Sequence, residues 1–183
     1  MAAGAPRPRA ADDAGRRKAE PCGACHGATG NSSIPTVPSL AGQPTAYLHW
    51  QLVLFRDGRR KDAQMTPLAA ALSDTDMAEL AAFYASQKPV TPARVPLTPA
   101  QAEAGRALAE RHFCFACHGA ALEGREYAPR LSTLQPDYLT SQLRRFKAGT
   151  RGDLDGAMTT VAQPLTDDAI TELARFIAGM PIQ

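Results

Sequence analysis

Apolar and polar positions along the chain follow a helical period, and one such pattern occurs twice. Tyr47, Leu48, Gln51, Leu52 and Phe55 fall on one face of an amphipathic helix, and Tyr138, Leu139, Gln142, Leu143 and Phe146 repeat that face 91 residues later. Gly58 and Gly149 follow where a helix ends, and Pro44 and Pro136 stand where a first helical residue belongs. Ser73 with Asp76 reads as a capping box opening a helix to about Gln87. Thr98, Pro99 and Gln101 open another, and Thr166 caps a last helix to about Gly179. No stretch alternates with the period of a strand. The pattern predicts an all-α protein built from two similar halves.

Further matches extend the repeat. Glu79, Leu80, Ala81 and Phe83 recur as Glu172, Leu173, Ala174 and Phe176 at an offset of 93. Length differences confined to loops are what a duplicated domain tolerates. Between the halves, Pro89, Pro92 and Pro96 mark a semi-extended linker. The expected organisation is a tail at 1–11, a first domain at 12–88, a linker at 89–97 and a second domain at 98–183.

Composition narrows the class. The 183 residues are 44% hydrophobic with a formal charge of +2, ordinary for a globular protein and unlike a nucleic-acid binder. No apolar run is long enough to span a bilayer. Met1 to Glu20 holds no apolar core of a secretion signal.

The chemistry lies in the cysteines. Cys22-Gly23-Ala24-Cys25-His26 returns as Cys114-Phe115-Ala116-Cys117-His118, and these pairs use all four cysteines. C-x-x-C-H is the attachment signature of c-type haem: two thiols form thioethers and the histidine lands beneath the iron. A four-thiolate zinc site would need two pairs about 90 residues apart in sequence to converge, and would leave both histidines without a role. The reading is therefore two covalent haem c groups, with His26 and His118 as proximal iron ligands. Each haem adds two carboxylates, which offset the positive charge of the polypeptide.

The sixth iron ligand decides between carrier and enzyme. Met65 lies 43 residues after Cys22 and Met158 lies 44 after Cys114, both expected in polar loops before the last helix of their half. They are the candidates. Met77 and Met180 read as core fillers. His49 has Thr140 at its equivalent position, and His112 is tied too close to Cys114 to cross a haem plane. The basic runs Arg59-Arg60-Lys61 and Arg144-Arg145, with Lys147 and Arg151, read either as solvated helix ends or as a docking surface for an acidic partner.

At Cys22–Gly27, Val37–Gln43, Tyr47–Arg60, Met65–Leu68 and Leu72–Gln87 the sequence resembles class I cytochromes c, and more closely the dihaem cytochrome c4 family. The resemblance implies two cytochrome c domains about a pseudo-twofold axis with haem edges close together. It also implies that the carbonyls of Pro38 and Pro129 accept hydrogen bonds from His26 and His118. It further implies a periplasmic electron carrier, often membrane-associated, serving partners such as a terminal oxidase. Two alternatives stand beside it: a dihaem subunit of a flavin-, molybdenum- or quinone-linked dehydrogenase, and a haem enzyme with an open axial site. The second half departs more, with a shortened loop from Gly119 to Tyr127 and no proline after Met158 to match Pro67.

Overall fold

Several of the helices start where a side chain can take up free backbone donors. In a computed structural model describing residues 9–90 and 95–181, ten helices follow one another and no strand forms among the described residues. Residues 1–8 of the expected tail and 91–94 of the expected linker lie outside the described residues. The first half holds α1 (Arg9–Ala19), α2 (Gly23–His26), α3 (Thr45–Arg56), α4 (Met65–Ala70) and α5 (Asp74–Ser86). The second holds α6 (Pro99–Arg111), α7 (Cys114–His118), α8 (Pro136–Lys147), α9 (Ala157–Ala162) and α10 (Asp167–Gly179).

Ser73 with Asp76 and Thr98 with Gln101 form complete capping boxes, and Thr166 accepts the Ala169 amide. Pro136 is the first residue of α8, but Pro44 caps α3 from outside because its extended backbone (ψ 134°) precedes the first helical turn. Gly58 and Gly149 follow α3 and α8 with φ of 70° and 66°, a conformation open to glycine at no steric cost.

The halves pack alike. α5 lies against α1 and α3 in the first, and α10 against α6 and α8 in the second. Leu80, Phe83 and Tyr84 anchor one core; Ile170, Leu173, Phe176 and Ile177 anchor the other. Burying one such side chain stabilises by about 2 kcal/mol. Met77 and Met180 are buried, as core fillers should be.

The crossing of α6 and α10 depends on Gly105. A Cβ there would lie 2.4 Å from the Cβ of Phe176, and one at Gly15 would lie 2.8 Å from the Cβ of Phe83 in the matching crossing. Gly105→Ala must therefore push α6 and α10 apart. The expected cost is about 2 kcal/mol, read as a lower urea midpoint at unchanged slope.

The start of the linker is fastened to the first half. Asn31 donates to the Lys88 carbonyl (3.1 Å) and accepts from the Val90 amide (2.8 Å).

Candidate haem sites

His26 ends α2 and His118 ends α7, each one residue after the second cysteine of its motif. Both rings are buried. Nδ1 of His26 donates to the Pro38 carbonyl at 2.9 Å, and Nδ1 of His118 to the Pro129 carbonyl at 2.8 Å. A carbonyl can only accept, so the proton sits on Nδ1 and the Nε2 lone pair is free for a metal. Burial holds both histidines below their ordinary range, and the Arg60 charge acts in the same direction on His26. Both are thus neutral and oriented, as ligation of an iron requires.

Cys22 and Cys114 are partly buried and Cys25 and Cys117 exposed, and no disulfide joins any of them. Burial pushes the Cys22 and Cys114 thiols up. No three His, Cys, Asp or Glu side chains among the described residues gather closely enough to hold a metal ion on their own, so the four-thiolate zinc arrangement is not assembled.

Met65 and Met158 are not in loops. Met65 opens α4 and Met158 is the second residue of α9. The reason is a pair of aspartates, 91 residues apart, that the sequence reading passed over. Oδ1 of Asp62 accepts the Gln64 and Met65 amides, both at 3.1 Å. Oδ2 of Asp153 accepts the Met158 amide at 2.6 Å and that of Thr159 at 3.4 Å. Each aspartate side chain takes up amides at the start of a six-residue helix and so holds the methionine in its first turn. The signal was an Asp at the same place in each repeat, three residues before Met65 and five before Met158. His49 and His112 are partly exposed, and His112 caps the end of α6.

The basic runs divide: Arg59, Lys61 and Arg144 are exposed, as a solvated helix end requires, but the other arginines depart from that expectation. Arg60 and Arg151 are neither solvated nor available for docking: each is only 6% exposed, at the junction of the halves. They pair as an isolated antiparallel bridge, the relation expected when equivalent residues meet across a local twofold. Arg60 donates to Gln51 (2.5 Å), Tyr138 (2.9 Å) and Gln142 (3.3 Å). Arg151 donates to Gln142 (2.7 Å) and Gln51 (3.2 Å). Each guanidinium stacks at 4.4 Å on the phenylalanine of its own half, Phe55 or Phe146. Nearby, Arg145 donates to the Lys61 carbonyl and Lys147 to that of Leu165 (2.6 Å).

Two buried guanidinium groups thus share neutral acceptors. Among the described residues no carboxylate forms an ion pair with either, and the Nε of each is buried without a partner. Burial, with the charge of Arg60, pushes Arg151 down. A buried cation without an anion is costly, so the junction calls for negative charge from outside the polypeptide. The carboxylates of haem c would supply it. Arg60 and Arg151 are the side chains that would hold them, and the site fits the group that the cysteine motifs imply.

A doubled C-x-x-C-H, a carbonyl-oriented histidine after each, and an arginine pair suited to haem carboxylates define a tandem c-type cytochrome. Comparison with known proteins agrees. The cytochrome c family model matches residues 13–88 and again 102–181. Cytochrome c4 of Pseudomonas aeruginosa is 40% identical over 176 residues, covering 91% of this chain and 87% of that protein. The thiosulfate dehydrogenase electron acceptor of Thiomonas intermedia is 38% identical, covering 90% and 81%. Reduced recombinant cytochrome c4 from Pseudomonas stutzeri superposes with a TM-score of 0.83 at 32% identity, covering 93% of this chain and 98% of that one. The chain belongs to the cytochrome c family and, within it, to the dihaem cytochromes c4. It carries two covalent haem c groups and is an electron-transfer protein rather than an enzyme. No helix among the described residues is long and apolar enough to cross a membrane.

Proposed function

We propose that the protein is a periplasmic dihaem carrier, peripheral to the membrane, that takes single electrons from a dehydrogenase and passes them to an acceptor such as a terminal oxidase. In this reading Cys22, Cys25, Cys114 and Cys117 tether the haems. His26 with Met65, and His118 with Met158, supply the axial ligands, and the domains run over 12–88 and 98–183 about the linker 89–97. The observation that carries it is the doubled site: in each half a buried histidine is turned by a proline carbonyl, and a methionine stands in the first turn of a helix whose start an aspartate holds. When bound, haem supplies the one-electron couple. The chain orients the ligands, shields the iron from water and tunes the potential through burial and hydrogen bonds.

The mass of denatured protein is expected to exceed the polypeptide by two haems, with only six-coordinate low-spin spectra in both oxidation states. Haem that extracts with acid, or stoichiometric zinc, overturns the attachment. A high-spin fraction overturns the carrier reading in favour of an open site.

A second reading places the chain as the permanent electron-accepting subunit of a dehydrogenase. It is favoured by the Thiomonas intermedia relative, whose name is thiosulfate dehydrogenase electron acceptor. Exposed apolar side chains occur in both halves, with Ile34 and Leu68 in the first, Phe113, Tyr127 and Leu154 in the second, and Val90 at the start of the linker. Phe113 stands directly before Cys114, 74% exposed and on a left-handed backbone (φ 56°). A chain that stays soluble and monomeric alone supports the carrier; one that needs its dehydrogenase to remain in solution supports the subunit.

A further inference from the structure

The repeat sets a glutamine at one position in both halves, Gln43 and Gln135. Both are buried, and both reach across to the other half, yet they do different work there. Gln135 makes one bond: its Nε2 donates to the Ser32 carbonyl at 2.8 Å, while its Oε1 is buried without a partner. Gln43, 2% exposed, makes two bonds to one residue. Its Nε2 donates to the Arg130 carbonyl at 2.8 Å and its Oε1 accepts the Arg130 amide at 2.9 Å.

That amide belongs to the peptide unit between Pro129 and Arg130, and its carbonyl is the one that accepts from His118. The order is therefore continuous across the junction: Gln43 Oε1, the Arg130 N–H, the Pro129 C=O, and the His118 Nδ1–H. A peptide whose N–H is engaged has a more negative carbonyl oxygen, and so binds the next donor more strongly. A stronger bond at Nδ1 makes the imidazole a more basic ligand, which favours ferric iron. Other contacts hold the same loop to the first half. The Tyr47 amide donates to the Glu126 carbonyl (3.1 Å), and Nε of Arg130 donates to that of Gly42 (3.4 Å).

We propose that Gln43 of the first domain is a positioning residue for the haem of the second, acting through the Pro129–Arg130 peptide on His118, with no equivalent action of Gln135 on His26. The two haem environments are then unequal by construction. The potential of the second depends on the docking of the first domain, and the potential of the first does not depend on the second through this route. The inference rests on the reading of His118 as the proximal ligand.

The test is Gln43→Met in the full holoprotein, with Gln135→Met as the control that also removes an inter-domain bond. Two readouts are followed: the Nδ1 proton resonances of the proximal histidines in the ferrous protein, and the distribution of one electron between the haems. In Gln43→Met the His118 resonance moves upfield and that of His26 stays. The electron distribution shifts toward the second haem by about threefold, the scale of losing one link of a polarised chain. Gln135→Met leaves both resonances in place. Gln43→Glu keeps an acceptor oxygen in either protonation state, so its His118 resonance stays at or downfield of the parent's; an upfield shift there overturns the proposal. An unmoved His118 resonance in Gln43→Met, or equal shifts of both haems, overturns it as well. If the parent shows no proximal signal from His118 at all, the ligand assignment itself falls.

Discussion

Met65→His is expected to lower one of the two haem potentials by about 0.2 V, within the ~0.8 V over which axial ligands move haem iron, and to leave the other nearly in place. Thioether sulfur stabilises ferrous iron, and imidazole gives more to ferric iron, so the sign follows from the donor atom. The histidine would stand at the same helix start as the methionine, because the Asp62 bond goes to the backbone amide of residue 65 and not to its side chain. Only the donor changes; the position is held. Met158→His is expected to do the same for the second haem, with Asp153 in the place of Asp62. A redox titration followed spectrally checks both. An unchanged spectrum and potential in Met65→His means that another group occupies the sixth position of that haem.

How far the sequence carried the picture depended on how local each determinant is. The capping boxes at Ser73 and Thr98 were legible because donor and acceptor lie three residues apart. The candidate histidine ligands stood out in the sequence because covalent attachment fixes their spacing to the cysteines. Met65 and Met158 were found by counting along the repeat, but their surroundings were misread as loops. A six-residue helix is too short to show periodicity, and its start depends on a carboxylate three to five residues back. Arg60 and Arg151 were the larger miss. In sequence they belong to basic runs after a helix, the usual mark of a solvated end. Only the docking of the two halves buries them against each other, and nothing in one half's sequence announces its partner. Gln43 and Gln135 occupy equivalent places and look alike in sequence. Their unequal roles arise from the different loops they meet, Arg130 in one case and Ser32 in the other.

The arginine junction gives the second large effect, and its sign discriminates between two physical pictures. If Arg60 and Arg151 were simply two buried cations sharing neutral glutamine oxygens, removing one would relieve repulsion and stabilise the protein. If each holds haem carboxylate, removing one leaves an anion buried without its partner, at a cost of about 3 kcal/mol. The orphaned Nε atoms favour the second picture, because a guanidinium brought this far from water needs its donors used. Arg151→Leu is therefore expected to lower the denaturation midpoint of the holoprotein. The potential is expected to fall as well, since a buried positive charge near a haem favours the state with one more electron. Arg151→Lys keeps the charge but not the forked donors, so it should recover much of the potential and less of the stability. Arg60→Leu should act in the same direction, with the added loss of its bond to the Tyr138 hydroxyl. Denaturant melts and redox titrations of these three variants check the assignment. A rise in stability in Arg151→Leu would mean that the carboxylates lie elsewhere and that the two halves are held together against a repulsion.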